Sequence, residues 1–250
     1  MRSYVIAMSA LLLSLPAAAN HPVVEEILIT EQKSTALPLL RISDFESAPL
    51  DTSKLLQQLP GANINSNGPV TGIVQYRGMY GYRVDTHIDN SPALTGGPNS
   101  MDAPLSYTPP LLLKKIEIER GIASVSSGQE TLGGHLSAEL DRGSFNLSSE
   151  TELHGSLNSR FNGNTDGGSH AIKTHLANNQ HKLSLLASLD EGNDTRIGGG
   201  DTLAGTFYRR NRFDLSYGWQ NENQSLLAFA GRLDTRDTGT PALPMDINYI

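Results

Sequence analysis

The sequence contains no cysteine, which excludes disulfide scaffolds, CxxC redox sites, thiolate-bound zinc and iron–sulfur clusters. Basic residues are also few, 19 Lys and Arg against 26 Asp and Glu, for a formal charge of −7. Binding nucleic acid requires a basic face for the phosphates, so no nucleic-acid partner is expected. Beyond the first twenty residues there is no long apolar run, and a polytopic helical membrane protein is excluded. Glycine and proline, 24 and 13 of 250 residues, fall well short of collagen-like or low-complexity composition. The sequence carries no GxxxxGK[ST] phosphate loop, no HExxH pair and no fixed repeat. Its length allows one large domain or two modest ones.

What is present starts at the N-terminus. Met1-Arg2-Ser3 leads into the apolar stretch from Tyr4 to Leu15, followed by Pro16-Ala17-Ala18-Ala19-Asn20. One positive charge, a short apolar core and an Ala-x-Ala exit form a secretory signal, with cleavage expected after Ala19. The chain is therefore expected to be exported through the Sec pathway of a bacterium. Glu25-Glu26-Ile27-Leu28-Ile29-Thr30 then pairs acidic residues with a short β-favouring run. Such a run can add to the sheet edge of a partner, or serve as an ordinary first strand.

Two textures follow. From Leu37 to Leu140 a short helix mixes with short strands and glycine-punctuated turns. Asp51 to Leu59 predicts one or two helical turns, capped by Asp51 or Thr52 and stopped by Pro60-Gly61. Ile73–Tyr76, Arg83–Asp89 and Leu113–Glu119 read as strands, the last with Leu113, Lys115, Glu117 and Glu119 opposite Lys114, Ile116 and Ile118. This is an α+β domain. After Asp141 come five long strands of period two. Leu153, Leu157 and Phe161 oppose His154, Asn158 and Arg160; Ile172 and Leu176 oppose Lys173 and His175. Leu183, Leu185 and Leu189 oppose Ser184, Ser188 and Asp190; Phe213, Leu215, Tyr217 and Trp219 oppose Asp214, Ser216 and Gln220. In the fifth, Leu227, Phe229 and Leu233 face away from Arg232 and Asp234. The links at Asn162–Ser169, Glu191–Thr206 and from Thr235 are long, whereas Asn178–Gln180 and Asn221–Gln224 are short. Long links alternating with short ones predict an outer-membrane barrel rather than a sandwich.

At this point the residues resemble the TonB-dependent outer-membrane receptors, whose plug domain sits inside a barrel of about 22 strands. Leu55-Leu56-Gln57-Gln58-Leu59-Pro60-Gly61 resembles the helix and turn of the plug. Gln75-Tyr76-Arg77-Gly78 with Arg83 to Asn90, and Lys115 to Gly121 with Ala123-Ser124-Val125 and Gly128, resemble its following motifs. Leu132-Gly133-Gly134 resembles its closing turn. This chain departs from the pattern at Asn90, Ile122, Ser126-Ser127 and Glu139. The resemblance implies a signal at 1–19, a TonB-box segment at 20–36, a plug at 37–141 and the start of the barrel at 142–250. It makes Glu26, Ile27, Leu28, Ile29 and Thr30 the TonB-binding residues. It implies TonB, outer-membrane lipid and a metal or metal-chelate ligand as partners, with no cofactor and no catalysis. Arg77, Arg83 and Arg120 are expected to pair with lumen-facing residues such as Glu150 and Glu152.

A narrower likeness, to the copper receptors of this family, rests on Gly97 to Tyr107 and on Thr240 to Asp246. It makes Met101 and Met245 candidate metal ligands, since thioether sulfur suits Cu(I). The cysteine ligand of those receptors falls at Gly97, so its thiolate is lacking, and an ordinary plug-loop methionine with no metal role is the stronger reading of Met101. Five strands cannot close a barrel, so the chain is expected to be the N-terminal part of a longer receptor, and by itself not to transport. An exported β-rich adhesin is the competing class. A periplasmic enzyme ranks third because no nucleophile–base pair can be placed. His170, His175 and His181 read as solvated or lumen-facing, Gly198-Gly199-Gly200 as a loop, and Asp190, Asn193 and Asp194 miss the EF-hand spacing.

Overall fold

In the computed structural model the described residues are 39–41, 49–66, 68–96, 102–119 and 131–241. The expected signal, the Glu26–Thr30 segment, Met101, Arg120 and Met245 lie outside them. The first part runs through β1 (Leu39–Arg41), a 3-10 turn (Thr52–Gln58), β2 (Ala62–Ser66), β3 (Gly72–Tyr76), β4 (Met79–Tyr80), β5 (Asp85–Ile88), β6 (Ser91–Pro92), β7 (Leu113–Glu119) and β8 (His135–Leu140). These strands form a sheet of order β1-β7-β8-β5-β6 and a smaller one of order β2-β3-β4. All pairs are antiparallel except β5 with β8, which run parallel.

The expected helix is the 3-10 turn. Asp51 caps it by accepting from the Ser53 amide at 2.9 Å, and its second oxygen accepts from the Gly72 amide at 2.7 Å. One buried carboxylate thus fixes the turn against β3. Leu55 and Leu56 drop from the turn into a core with Tyr76, Leu112, Ile116, Ile118, Leu136 and Leu140. Strict alternation along β7 fails at its start. A register shift between Leu113 and Lys115 lets Leu113 and Ile116 face the core together, which leaves Lys114 exposed.

The five long strands are present: β9 (Glu152–Asn162), β10 (Gly167–Ala177), β11 (His181–Gly192), β14 (Tyr208–Gln220) and β15 (Ser225–Arg236), all antiparallel in the order β9-β10-β11-β14-β15. Their 11–13 residues suffice for a tilted spanning strand. Two links differ from expectation. The β9–β10 connection shrinks to residues 163–166 because the strands extend into it, and β12 (Thr195–Arg196) with β13 (Thr202–Leu203) folds the glycine-rich link into a small hairpin.

The burial of this wall is inverted relative to a soluble sheet. On β14, Arg210, Asp214 and Ser216 are buried while Phe213, Leu215 and Tyr217 are exposed. The same holds for Ser184, Ser188 and Asp190 against Leu183 on β11. Water would select the opposite arrangement, whereas lipid outside and a polar filling inside select this one. β15 departs from simple patterning. Its register places Leu227 and Phe229 on the inner face opposite Gly218 and Ser216, with Leu226, Ala228 and Ala230 outside. Among the described residues no helix is long and apolar enough to cross a membrane.

A side chain at Gly72 has no room, since its Cβ would collide with Ser53 Oγ and Asp51 Oδ2. Gly72→Ala is expected to destabilise this domain by about 1–3 kcal/mol, the usual cost of overpacking. A urea unfolding curve in detergent tests this, and an unchanged midpoint would contradict the Asp51 tie.

Candidate functional site

The inner face of the wall is not empty: the first domain packs against it through charged groups. Asp89 directly follows β5; its Oδ1 accepts from the Leu140 amide at 2.9 Å and its Oδ2 lies 2.5 Å from Arg142 Nη1. Arg142 Nη2 reaches Asp214 Oδ1 on β14 at 2.9 Å. Asp214 Oδ2 is held by Arg212 Nε at 2.5 Å, and Arg212 donates onward to the Tyr107 carbonyl. The guanidinium of Arg142 lies 4.4 Å from the centroid of the Phe229 ring, which accounts for an aromatic group turned inward on β15. Arg142 is 5% and Asp214 1% exposed. Two cations and two anions therefore share a desolvated site in which every charge is paired, the condition for tolerating burial.

A second tie lies nearer the long links. Arg210 is fully buried and donates to Asp190 Oδ2 through Nε at 3.0 Å and Nη2 at 2.8 Å. It also donates to the Ser106 carbonyl at 3.1 Å and the Leu50 carbonyl at 3.1 Å. A planar fork of five donors suits this task, one edge on a carboxylate and the other on backbone oxygens. Tyr107, beside these contacts, donates to Asp102 at 2.5 Å. That hydrogen bond, with burial and the carboxylate charge, pushes the phenol up to about 12.

A third tie follows the strand connection. Lys173 Nζ meets Asp141 Oδ2 at 2.6 Å, Lys182 donates to the Gly143 carbonyl at 3.0 Å, and Ser184 donates to the Arg142 carbonyl at 2.6 Å. Burial by itself would raise Asp141, but the Lys173 hydrogen bond and charge, aided by His175 and the Gly143 amide, hold its carboxyl below its ordinary value. Near the long links a cleft of about 620 Å³ opens between the two parts, with Lys54 and Pro69 on one side and Arg160 and Tyr208 on the other.

The residues singled out from sequence are distributed differently. Arg77 lies over Tyr76 and Arg83 over Tyr82, both exposed. Glu152 lies beside His154 at 3.2 Å and accepts from Asn146 at 3.1 Å. Among the described residues Arg142, Arg210 and Arg212 span the interface. Their signal was their position on the polar side of β14 and at the domain junction. His175 faces inward as expected, while His170 and His181 sit on the outer face near strand ends, bonded to Ser159 and Tyr217. Asp190 is committed to Arg210, and Asp194 accepts from the Thr206 and Phe207 amides, so these two do not converge on an ion. One group that could hold a metal went unnoticed: Asp85, His87 and His135, whose donor atoms lie within 4.8 Å of one another.

Residues 33–135 match the family model of the TonB-dependent receptor plug domain. This segment is a TonB-dependent receptor plug. The plug with its strand wall has the fold of the solved receptors. Over 79% of this chain it is similar to the copper transporter OprC, with 23% identity and a TM-score of 0.70. Over 80% it is similar to the FrpB iron transporter from Neisseria meningitidis (F3-3 variant), with 17% identity and a TM-score of 0.65. The siderophore receptor PirA from Acinetobacter baumannii gives 18% identity and a TM-score of 0.57 over 80%. The chain covers 30% of OprC, 31% of FrpB and 32% of PirA. No curated protein matches the chain by sequence.

The plug–wall tie at Asp141 has a definite pH signature. Its carboxyl is held low in the folded state, so its contribution is present above the unfolded value of about 3.9 and lost as pH falls through the folded value. Between about pH 5 and pH 3 the urea midpoint of the unmodified chain should fall further than that of Asp141→Asn. Equal falls would show that this carboxylate is not linked to folding.

Proposed function

We propose that this chain forms the plug and first wall of a TonB-dependent outer-membrane transporter that imports a metal ion or metal chelate. The reading rests on one observation above the rest, an apolar-outside, largely polar-inside strand wall that holds a plug by ion pairs and carbonyl contacts around a small apolar patch at Ala171 and Leu186. Contacts of this kind can be handed to water one at a time, because water solvates each freed charge and carbonyl. An apolar interface of the same extent would resist displacement with its whole buried area. A plug held this way can be loosened by a pull from one end and can reseat afterwards.

The pull enters, in this reading, at Glu26–Thr30, which adds as a strand to TonB, with energy supplied from the inner membrane. The preceding segment through Ala19 is an export signal removed during passage to the outer membrane. Copper is the favoured cargo. Support comes from the likeness of Gly97–Tyr107 and Thr240–Asp246 to copper receptors and from the similarity to OprC. With glycine at position 97 the thiolate is missing, and Met101 and Met245 supply thioether donors instead.

The test uses cells producing the receptor that contains this chain. Ile29→Pro removes a backbone donor from the strand TonB would pair with. It is expected to reduce accumulation of radiolabelled copper to the level of cells lacking TonB, with surface binding of copper retained. Met101→Ala is expected to weaken surface binding. Accumulation indifferent to both Ile29→Pro and loss of TonB would overturn the transport reading. Energised uptake of ferric chelates without copper uptake would move the cargo to iron.

A further inference from the structure

The start of the parallel β5–β8 pair gathers three donor groups on one face. Asp85 and His87 are two residues apart on β5 and so point the same way, while His135 is the register partner of Asp85 on β8. Backbone bonds clamp this end of the pair: the Asp85 amide donates to the Gly134 carbonyl at 3.1 Å and the Gly133 amide to the Arg83 carbonyl at 2.9 Å. Asp85 Oδ2 lies 2.7 Å from His135 Nδ1 and 3.3 Å from His87 Nε2, and the two imidazoles meet edge to face at 4.7 Å. The side chains are 8%, 13% and 15% exposed for Asp85, His135 and His87. They are held inside the plug surface yet within reach of solvent.

We infer that Asp85, His87 and His135 form a binding site for a divalent first-row transition ion, of the Cu2+ or Zn2+ class. Two imidazole nitrogens and one carboxylate oxygen are a borderline donor set. It suits these ions, whereas Ca2+ and Mg2+ seek oxygen ligands and Cu(I) seeks sulfur. Three protein ligands leave at least one coordination position for water or for a donor from an arriving chelate. The spacing fits as well. Two ligands on a tetrahedral ion with bonds of about 2.0–2.1 Å stand about 3.3–3.4 Å apart. The Asp85–His87 separation already has this value, and the Asp85–His135 pair must open by about 0.6 Å as the ion replaces the proton that joins them. Without an ion that hydrogen bond pairs the two groups and keeps the cluster together. A bound ion would link β5 to β8 at one end of the pair. At the other end Asp89 accepts from Leu140 and meets Arg142, so the ion would stiffen the element that carries the main plug–wall tie. The inference does not depend on the transport reading, since the site is complete within the plug.

Isothermal titration of the full chain in detergent with Cu2+ and, separately, Zn2+ tests it. The expected result is one saturable ion per chain and a raised thermal midpoint. Outer-shell partners of metal sites are worth about 10–100-fold in affinity, so loss of a direct ligand by His87→Ala or His135→Ala should cost at least that. His154→Ala, at an exposed histidine outside the cluster, should change nothing. Electron paramagnetic resonance of the Cu2+-loaded chain carrying His154→Ala should show two nitrogen donors, which decides the matter even where a cluster variant fails to fold. No saturable binding of either ion, binding undiminished in both cluster variants, or a signal with fewer than two nitrogens would overturn the assignment.

Discussion

The guanidinium of Arg142, held between Asp89 of the plug and Asp214 of the strand wall, is the contact on which the rest of the arrangement depends. Removing these groups from water costs several kcal/mol per ion, and the cost is recovered only where each charge keeps a well-placed partner. The surroundings meet that demand. Arg212 takes the second oxygen of Asp214, and Phe229 lies beside the guanidinium. Gly231 on β15 lacks the Cβ that would stand 2.6 Å from Asp214 Oδ1. Because Arg142 lies in the link between the two parts, the same residue sets where the plug sheet ends and how the connection runs down the wall.

The wall and the plug constrain each other. A sheet with leucines and phenylalanines outward and arginines, serines and aspartates inward is stable only with lipid on one side and polar partners on the other. The plug supplies those partners largely as backbone carbonyls, at Leu50, Ser106, Tyr107, Arg142 and Gly143. Carbonyls are available whatever the side chains are, so the wall can grip plug segments whose sequence is otherwise free to vary. These carbonyl contacts act beside charged ties to which both sides contribute, Asp89 through Arg142 to Asp214 and Asp141 to Lys173.

Much of this was legible in the sequence, and for identifiable reasons. Period-two alternation is the strongest pattern a strand can carry, and Phe213-x-Leu215-x-Tyr217 beside Asp214-x-Ser216 revealed β14 and its inverted burial directly. Asp51 before Leu55-Leu56, with Pro60-Gly61 behind, revealed the capped turn. β15 was harder, because Leu226 and Leu227 are both apolar and only pairing with β14 decides which faces the plug. The bulge at Leu113–Lys115 breaks the alternation that exposed β7. Arg210 and Arg212 were not singled out because charge alone does not distinguish a plug arginine on a neighbouring tyrosine, as at Arg77 and Arg83, from a wall arginine aimed at a carbonyl. Asp85, His87 and His135 escaped notice because the second histidine lies 48 positions after the first, and only the parallel β5–β8 register brings them together.

The most direct test of the central contact is a double-mutant cycle of Arg142→Met and Asp214→Asn, read by urea unfolding of the full chain in detergent. Each single change leaves a buried charge without its partner and should cost about 3–5 kcal/mol. If the two groups hold plug and wall together, the double variant should depart from the sum of the singles by about 0.5–3 kcal/mol. Additivity within about 0.5 kcal/mol would mean that the two act independently, and that the plug is held to the wall by something other than this pair.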